Sequence, residues 1–239
     1  MEVDEADDLT FFASFATIGI NYVLRYLIMK VFVTTGCNTY SQEMKYITVA
    51  IFFAQFFNTG ILLMLVNANM AGQGWPVSSI FRGIDPDFNS RWFVNVGDTL
   101  VNSMFINIYM PAFECFYNYC IRLLKRAWDK RFWTKRTSCK TRQAYIELYS
   151  GPTFYMHYKY SMILNITFVT MTFGVGMPVL FPIATLSFLF LYFVEKGMLY
   201  YGYREPPQYD EVLNNTVLDI LKYAPLFLLG FGFWMLSSN

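Results

Sequence analysis

YSMILNITFVTMTFGVGMPVLFPIATLSFLFLYFV, residues 160–194, carries no charged side chain. A bilayer core about 30 Å thick takes roughly 20 apolar residues of helix to cross. The run is too long for one crossing and nearly long enough for two. Gly174, Gly176, Pro178 and Pro182 stand at its middle, where a tight reversal falls. The stretch reads as a membrane helical hairpin, so the solvent to reason about is lipid.

The rest of the chain agrees with that choice. Its 239 residues are 55% hydrophobic, 20% aromatic and 15% charged, against about 25% charged in an average soluble domain. Mean hydropathy is +0.33. A net charge of +1 gives no bulk attraction to nucleic acid. The acidic opening MEVDEADD lacks the basic flank of a signal peptide, so internal helices are expected to drive insertion. Cys37, Cys115, Cys120 and Cys139 form no CxxC pair, and His157 is the sole histidine. Neither a metal site nor a cofactor is expected. Phosphate-loop, H-E-x-x-H and G-x-S-x-G motifs are absent from the sequence. Asp98 and Glu114 lie about four turns apart on one helix, too far for joint acid–base work. No enzyme is expected.

Six apolar segments follow from the hydropathy pattern: 9–33, 46–66, 93–119, the hairpin arms 160–177 and 182–201, and 212–236. In lipid every backbone group must be paired within its own element, so these are helices. Strict alternation is missing, which disfavours a barrel. The expected fold is all-α, a multi-pass transmembrane helical bundle forming a single pore-type domain over residues 1–239, with a basic cytoplasmic loop at 120–159.

Orientation rests on that loop. Arg122, Lys125, Arg126, Lys130, Arg131, Lys135, Arg136, Lys140 and Arg142 are half of the 18 basic residues, set against a single Asp129. Positive flanks stay in the cytoplasm. By alternation the N-terminus, the 67–92 loop, the hairpin turn and the C-terminus lie outside, in the plasma membrane or an endomembrane. The cysteines then fall near the reducing side, which fits free thiols. The sequon Asn214-Asn215-Thr216 faces the cytoplasm in this topology. It is expected to stay unmodified in a glycosylating cell; an endoglycosidase-sensitive mass shift lost on Asn214→Gln would reverse the orientation.

Polar side chains within apolar segments carry the functional information, because lipid drives them toward other helices or a wetted path. Gln55, Asn58 and Thr59 share one face of the second helix. The third helix offers Asp98, Asn102, Asn107 and Glu114, the fourth Thr167 and Thr170. Each alone reads as interhelical glue, worth about 0.6 kcal/mol. Together, Gln55, Asn58, Thr59, Asn102, Asn107, Glu114, Thr167 and Thr170 describe a hydrophilic groove. Gly97, Pro111, Gly174 and Gly176 are hinge candidates, each with plain packing or turn formation as the simpler role. Pro111 removes a helical hydrogen bond and predicts a kink. Between 121 and 136, Ile121, Leu124, Trp128 and Phe132 fall at helical spacing among basic residues. That pattern suits an interfacial helix with Lys125, Arg126, Lys130 and Arg131 on lipid headgroups, or else a simple topology determinant. Pro206-Pro207-Gln208-Tyr209 is a PPxY string, a WW-domain ligand or merely a helix stop.

Several of these stretches resemble one family. ELYSGP (147–152), YKY (158–160), GMPVLFP (176–182) and YFVEK (192–196) are similar to the seven-transmembrane region of the stress-gated cation channels, the OSCA and CSC proteins, in the wider superfamily of anoctamins and TMC channels. FAQFFNT (53–59) resembles that family's FxFQFxNS helix, and NYVLR (21–25) the helix before it. The resemblance implies a pore-forming region of a mechanically or osmotically gated, calcium-permeable cation channel, usually a homodimer. The first five helices would surround an ion path lined by the third helix and the hairpin. Its partners would be membrane lipids and permeating cations. Some relatives move lipids, so a scramblase using the same groove is the first alternative; a non-conducting structural subunit is the second. Family members carry further N-terminal helices and a large cytoplasmic domain, so a fragment or reduced relative is expected. The fourth helix has no carboxylate to match the calcium-binding acids of anoctamins.

Overall fold

The computed structural model describes residues 2–35, 39–67, 88–130, 137, 139–204 and 210–237. The chain is an all-α bundle, and among the described residues there is no strand. Its helices are α1 (Glu2–Thr35), α2 (Tyr40–Phe56), α3 (Leu63–Asn67), α4 (Ser90–Trp92), α5 (Asp98–Asp129), α6 (Arg142–Tyr149), α7 (Met156–Phe173), α8 (Leu180–Tyr201), α9 (Val212–Leu221) and α10 (Ala224–Ser237). Two wide π turns, Phe57–Leu62 and Phe93–Gly97, join α2 to α3 and α4 to α5 without a break. Among the described residues four stretches are long and apolar enough to cross a membrane: Ser14–Thr35, Tyr40–Asn67, Leu180–Tyr201 and Val212–Ser237.

Local chemistry sets the ends. Thr39 caps α2 by accepting from Gln42 N, and Asn89 caps α4 by accepting from Trp92 N at 2.9 Å. The expected hairpin turn occupies residues 174–179, closed by Gly174 N donating to Thr170 O (2.8 Å) and Met177 N to Phe173 O (2.9 Å). The last segment is not one helix. Pro225 lacks an amide and its ring clashes with the carbonyl four residues back, so α9 stops and α10 starts afresh with the proline in its first turn. The expected interfacial helix at 121–136 is described only in part. Its first part is the continuation of α5, which runs through Pro111 to Asp129, whereas 131–136 lie outside the described residues.

The chain divides into two compact units. Unit one comprises residues 1–106, 156–185 and 209–239. In it α2 packs on α7, α1 and α9, and α7 packs on α10 and α9. An aromatic seam fills the centre: Phe168 meets Phe52, Phe227 and Phe56 at centroid distances of 4.9, 5.2 and 5.8 Å. Unit two comprises residues 107–155 and 186–208, that is the rest of α5, α6 and the rest of α8.

The radial distribution of polarity in unit one is that of a body immersed in hydrocarbon. Ser14, Thr48, Gln55, Asn58, Thr59, Thr99, Ser103, Asn165 and Thr170 are buried, while Val23, Leu27, Val31, Phe53, Leu229 and Phe233 are exposed. The interior also holds an apolar core, but a water-soluble fold would not leave so many large apolar side chains on its surface. The apolar span in α1 is only 6% buried. The protein is therefore a membrane protein.

Candidate functional site

Two arrangements stand out, one in each unit. In unit one, a polar layer forms where α1 meets the first π turn. Asn58 Nδ2 donates to Asn21 Oδ1 (2.9 Å) and to Thr17 O (3.2 Å). Asn21 Nδ2 in turn donates to Thr59 Oγ1 (2.9 Å). Asn21 thus serves two partners, and it is the member that the polar-stripe reasoning missed. The signal was present: a lone amide in the middle of an apolar segment is costly unless it is paired. A second polar step involves the other π turn. Thr99 O accepts from Ser14 Oγ (3.1 Å) and Ser103 Oγ (2.8 Å), and Thr99 Oγ1 donates to Asn95 O (3.0 Å). π turns open a wider ring than the α turn and gather at functional positions.

The expected groove residues separate into distinct roles. Gln55 is buried on α2. Asn58 and Thr59 bind α1. Asn102 donates to Asp98 Oδ2 one turn back on α5 (3.0 Å), and Thr167 Oγ1 donates to Ile163 O of its own helix (2.9 Å). Thr170 Oγ1 and Asn165 Oδ1 are buried with no hydrogen-bond partner among the described residues, so α7 presents polar capacity to the interior of unit one. Asn107 and Glu114 belong to unit two, where both are half-buried.

The hinge candidates are tightly packed. A Cβ on Gly97 would stand 2.9 Å from Met177 Sδ, and one on Gly176 2.7 Å from Met235 Sδ. On Gly174 it would meet Thr170 O at 2.5 Å. Pro111 is buried inside α5. It has no amide to give the carbonyl of Asn107, where unit two begins.

Unit two contains an open-sided cleft of about 650 Å³ between α5 and α8. Its walls include Phe116, Leu123, Phe193 and Met198, and at one end stand Arg122 and Arg126. Arg122 Nη1 donates to Ser150 O; Arg126 donates from Nε to Leu148 O (3.2 Å) and from Nη2 to Tyr149 O (3.0 Å). The two guanidiniums thus cap the carbonyl end of α6. Arg126 and Lys130 also lie over the Tyr149 ring, at 5.6 and 5.7 Å. Lys125 is exposed, and Arg131 lies outside the described residues, as does the PPxY string.

Beside the cleft, Asp129 is a buried carboxylate that sequence reasoning did not single out. It accepts from Thr137 Oγ1 at 2.8 Å and from Tyr149 OH at 3.1 Å. Desolvation, then the Asp129 hydrogen bond, push the Tyr149 phenol above its ordinary value. Tyr203, just past α8, donates to Glu195 Oε2 (3.1 Å), and burial followed by that carboxylate raises its phenol as well. Among the described residues Cys115, Cys120 and Cys139 form no disulfide, and Cys115 Sγ donates to Met198 Sδ (2.9 Å). Among the described residues no three His, Cys, Asp or Glu side chains converge to hold a metal. Compared with known protein families and with curated proteins, the chain matches none.

Proposed function

We propose that this chain is the pore-forming region of a mechanically or osmotically gated cation channel, as its resemblance to the stress-gated channels implies. The observation that supports this best is the polar layer of Asn21, Asn58 and Thr59, with Gln55 and Thr170 also buried, inside a unit whose outward surface is apolar. Such a layer supplies an ion with substitutes for its hydration shell. In this reading the chain crosses the membrane six times, with the N-terminus outside and the 120–159 segment in the cytoplasm. Tension tilts or straightens α5 near Gly97 or Pro111, which opens the polar path. Glu114, toward the cytoplasmic end, favours cations.

Reconstitution with stretch-activated patch recording tests the reading. Glu114→Lys is expected to lower the cation-to-anion permeability ratio by roughly tenfold, the effect of about 1.4 kcal/mol at a partly screened charge. Unchanged reversal potentials would remove Glu114 from the path. Fluorescent-lipid flipping without current would replace conduction by scrambling, and neither activity would leave a structural subunit.

A further inference from the structure

The cleft of unit two has a composition that the conduction proposal does not use. Its walls are mostly apolar, and its volume falls within the roughly 300–1,000 Å³ of small-molecule sites. Arg122 and Arg126 are four residues apart on α5, so both stand on one face of that helix. Their partners are backbone carbonyls and one tyrosine ring. Among the described residues, no carboxylate forms an ion pair with either. The carbonyl end of a helix carries about half a negative charge. Asp129, three residues beyond Arg126 and hydrogen-bonded to Tyr149, offsets part of the arginines' charge without pairing with either guanidinium. Two arginines against one carboxylate leave a net positive charge beside an apolar cleft, an arrangement that invites an anion.

We infer that the α5–α8 cleft holds one anionic phospholipid, its phosphate on Arg122 and Arg126 and an acyl chain along Phe116, Leu123 and Phe193. Guanidinium forks fit phosphate oxygens in a bidentate manner. Beyond the arginines the walls are mostly apolar, which an acyl chain matches better than a polar solute does. Tyr119 and Tyr201 line the same cleft, and tyrosines gather at the level of headgroups. Such a ligand is already abundant around a membrane protein. Room for the chain comes from α8: a Cβ on Gly197, which lines the cleft, would meet no atom within 4 Å. This inference needs membrane residence, but it does not need ion conduction.

The same glycine provides the test. The full chain, purified in mild detergent, is titrated with palmitoyl-oleoyl phosphatidylglycerol or phosphatidylcholine and read by native mass spectrometry. The wild type is expected to retain one phosphatidylglycerol roughly tenfold more tightly than phosphatidylcholine. Gly197→Leu, which fills open space, is expected to lose that adduct while its lipid-free melting temperature stays at or above the wild-type value. Leu123→Trp narrows the cleft from α5 and serves if the first variant does not fold. The double variant Arg122→Gln, Arg126→Gln is expected to lose the preference for the anionic lipid. Equal retention of the two lipids overturns the charge argument. An undiminished adduct in the folded cleft-filling variant overturns the location. A dimer that dissociates on filling the cleft, with lipid binding unaltered, makes a second copy the occupant.

Discussion

Gly151→Ala is expected to cost on the order of 3 kcal/mol, at the upper end of over-packing penalties, and to lower the melting temperature by roughly 6–12 °C. A Cβ at this position would fall onto Gly202 O and stand 2.7 Å from Arg204 N and 2.8 Å from the Tyr203 carbonyl carbon. All three are backbone atoms, so no side chain can swing aside. The backbone of 151–152 must then retreat, which breaks the hydrogen bond from Arg204 N to Pro152 O (3.0 Å). Fluorescence-detected size exclusion after a heat ramp reads the loss. Gly197→Ala is the matched control: it adds the same methyl in open space within a helix, where alanine is favoured over glycine by up to about 1 kcal/mol. If both variants melt like the wild type, the close approach of 151 to 202–204 does not exist in the protein.

Asn21→Leu is expected to cost about 1–2 kcal/mol, because it strands two buried partners at once. Asn58 keeps only Thr17 O for its amide, and Thr59 Oγ1 loses its donor. Replacing only one end leaves the other end buried and unmet; removing both ends together is milder. Asn21→Leu combined with Thr59→Val should therefore be less damaging than the sum of the single changes. A double-mutant cycle on melting in detergent is expected to give a coupling of roughly 0.6–1.7 kcal/mol, the range of hydrogen bonds between membrane helices. Strict additivity would mean that the two side chains do not meet.

What the sequence made legible was what lipid enforces at the scale of a segment. An uncharged run with Gly174 and Pro178 at its middle has one reasonable reading as a hairpin, and the turn lies there. Gln55, Asn58 and Thr59 had to turn inward because hydrocarbon rejects them, and they are buried. The illegible features depend on one bond or on distant partners. A π turn changes the local hydrogen-bond ring by one residue and leaves the hydropathy of Phe57–Leu62 untouched. The role of Asn21 appears only when Asn58 and Thr59, some 37 and 38 residues later, are placed beside it. The α5–α8 cleft joins Arg122 to Gly197, which no spacing rule connects. The break before Pro225 was readable from the proline and from Asp219 and Lys222 just ahead of it, but the high mean hydropathy of 212–236 taken as one segment concealed it.

In the six-crossing reading proposed above, with the α9–α10 ion pair held at the headgroups, that break has a consequence for the surrounding bilayer. Asp219 and Lys222 form an exposed ion pair at 2.5 Å, with side chains 68% and 71% accessible, immediately before α10. Charges so placed belong at the headgroups. The 14 residues of α10 then reach about 21 Å, well short of the roughly 30 Å of hydrocarbon. The difference is hydrophobic mismatch: lipids must thin locally around this helix, or the ion pair must be drawn below the surface. In that reading short-chain lipids relieve the strain and long-chain lipids increase it, so acyl length would set how well this one corner fits its membrane.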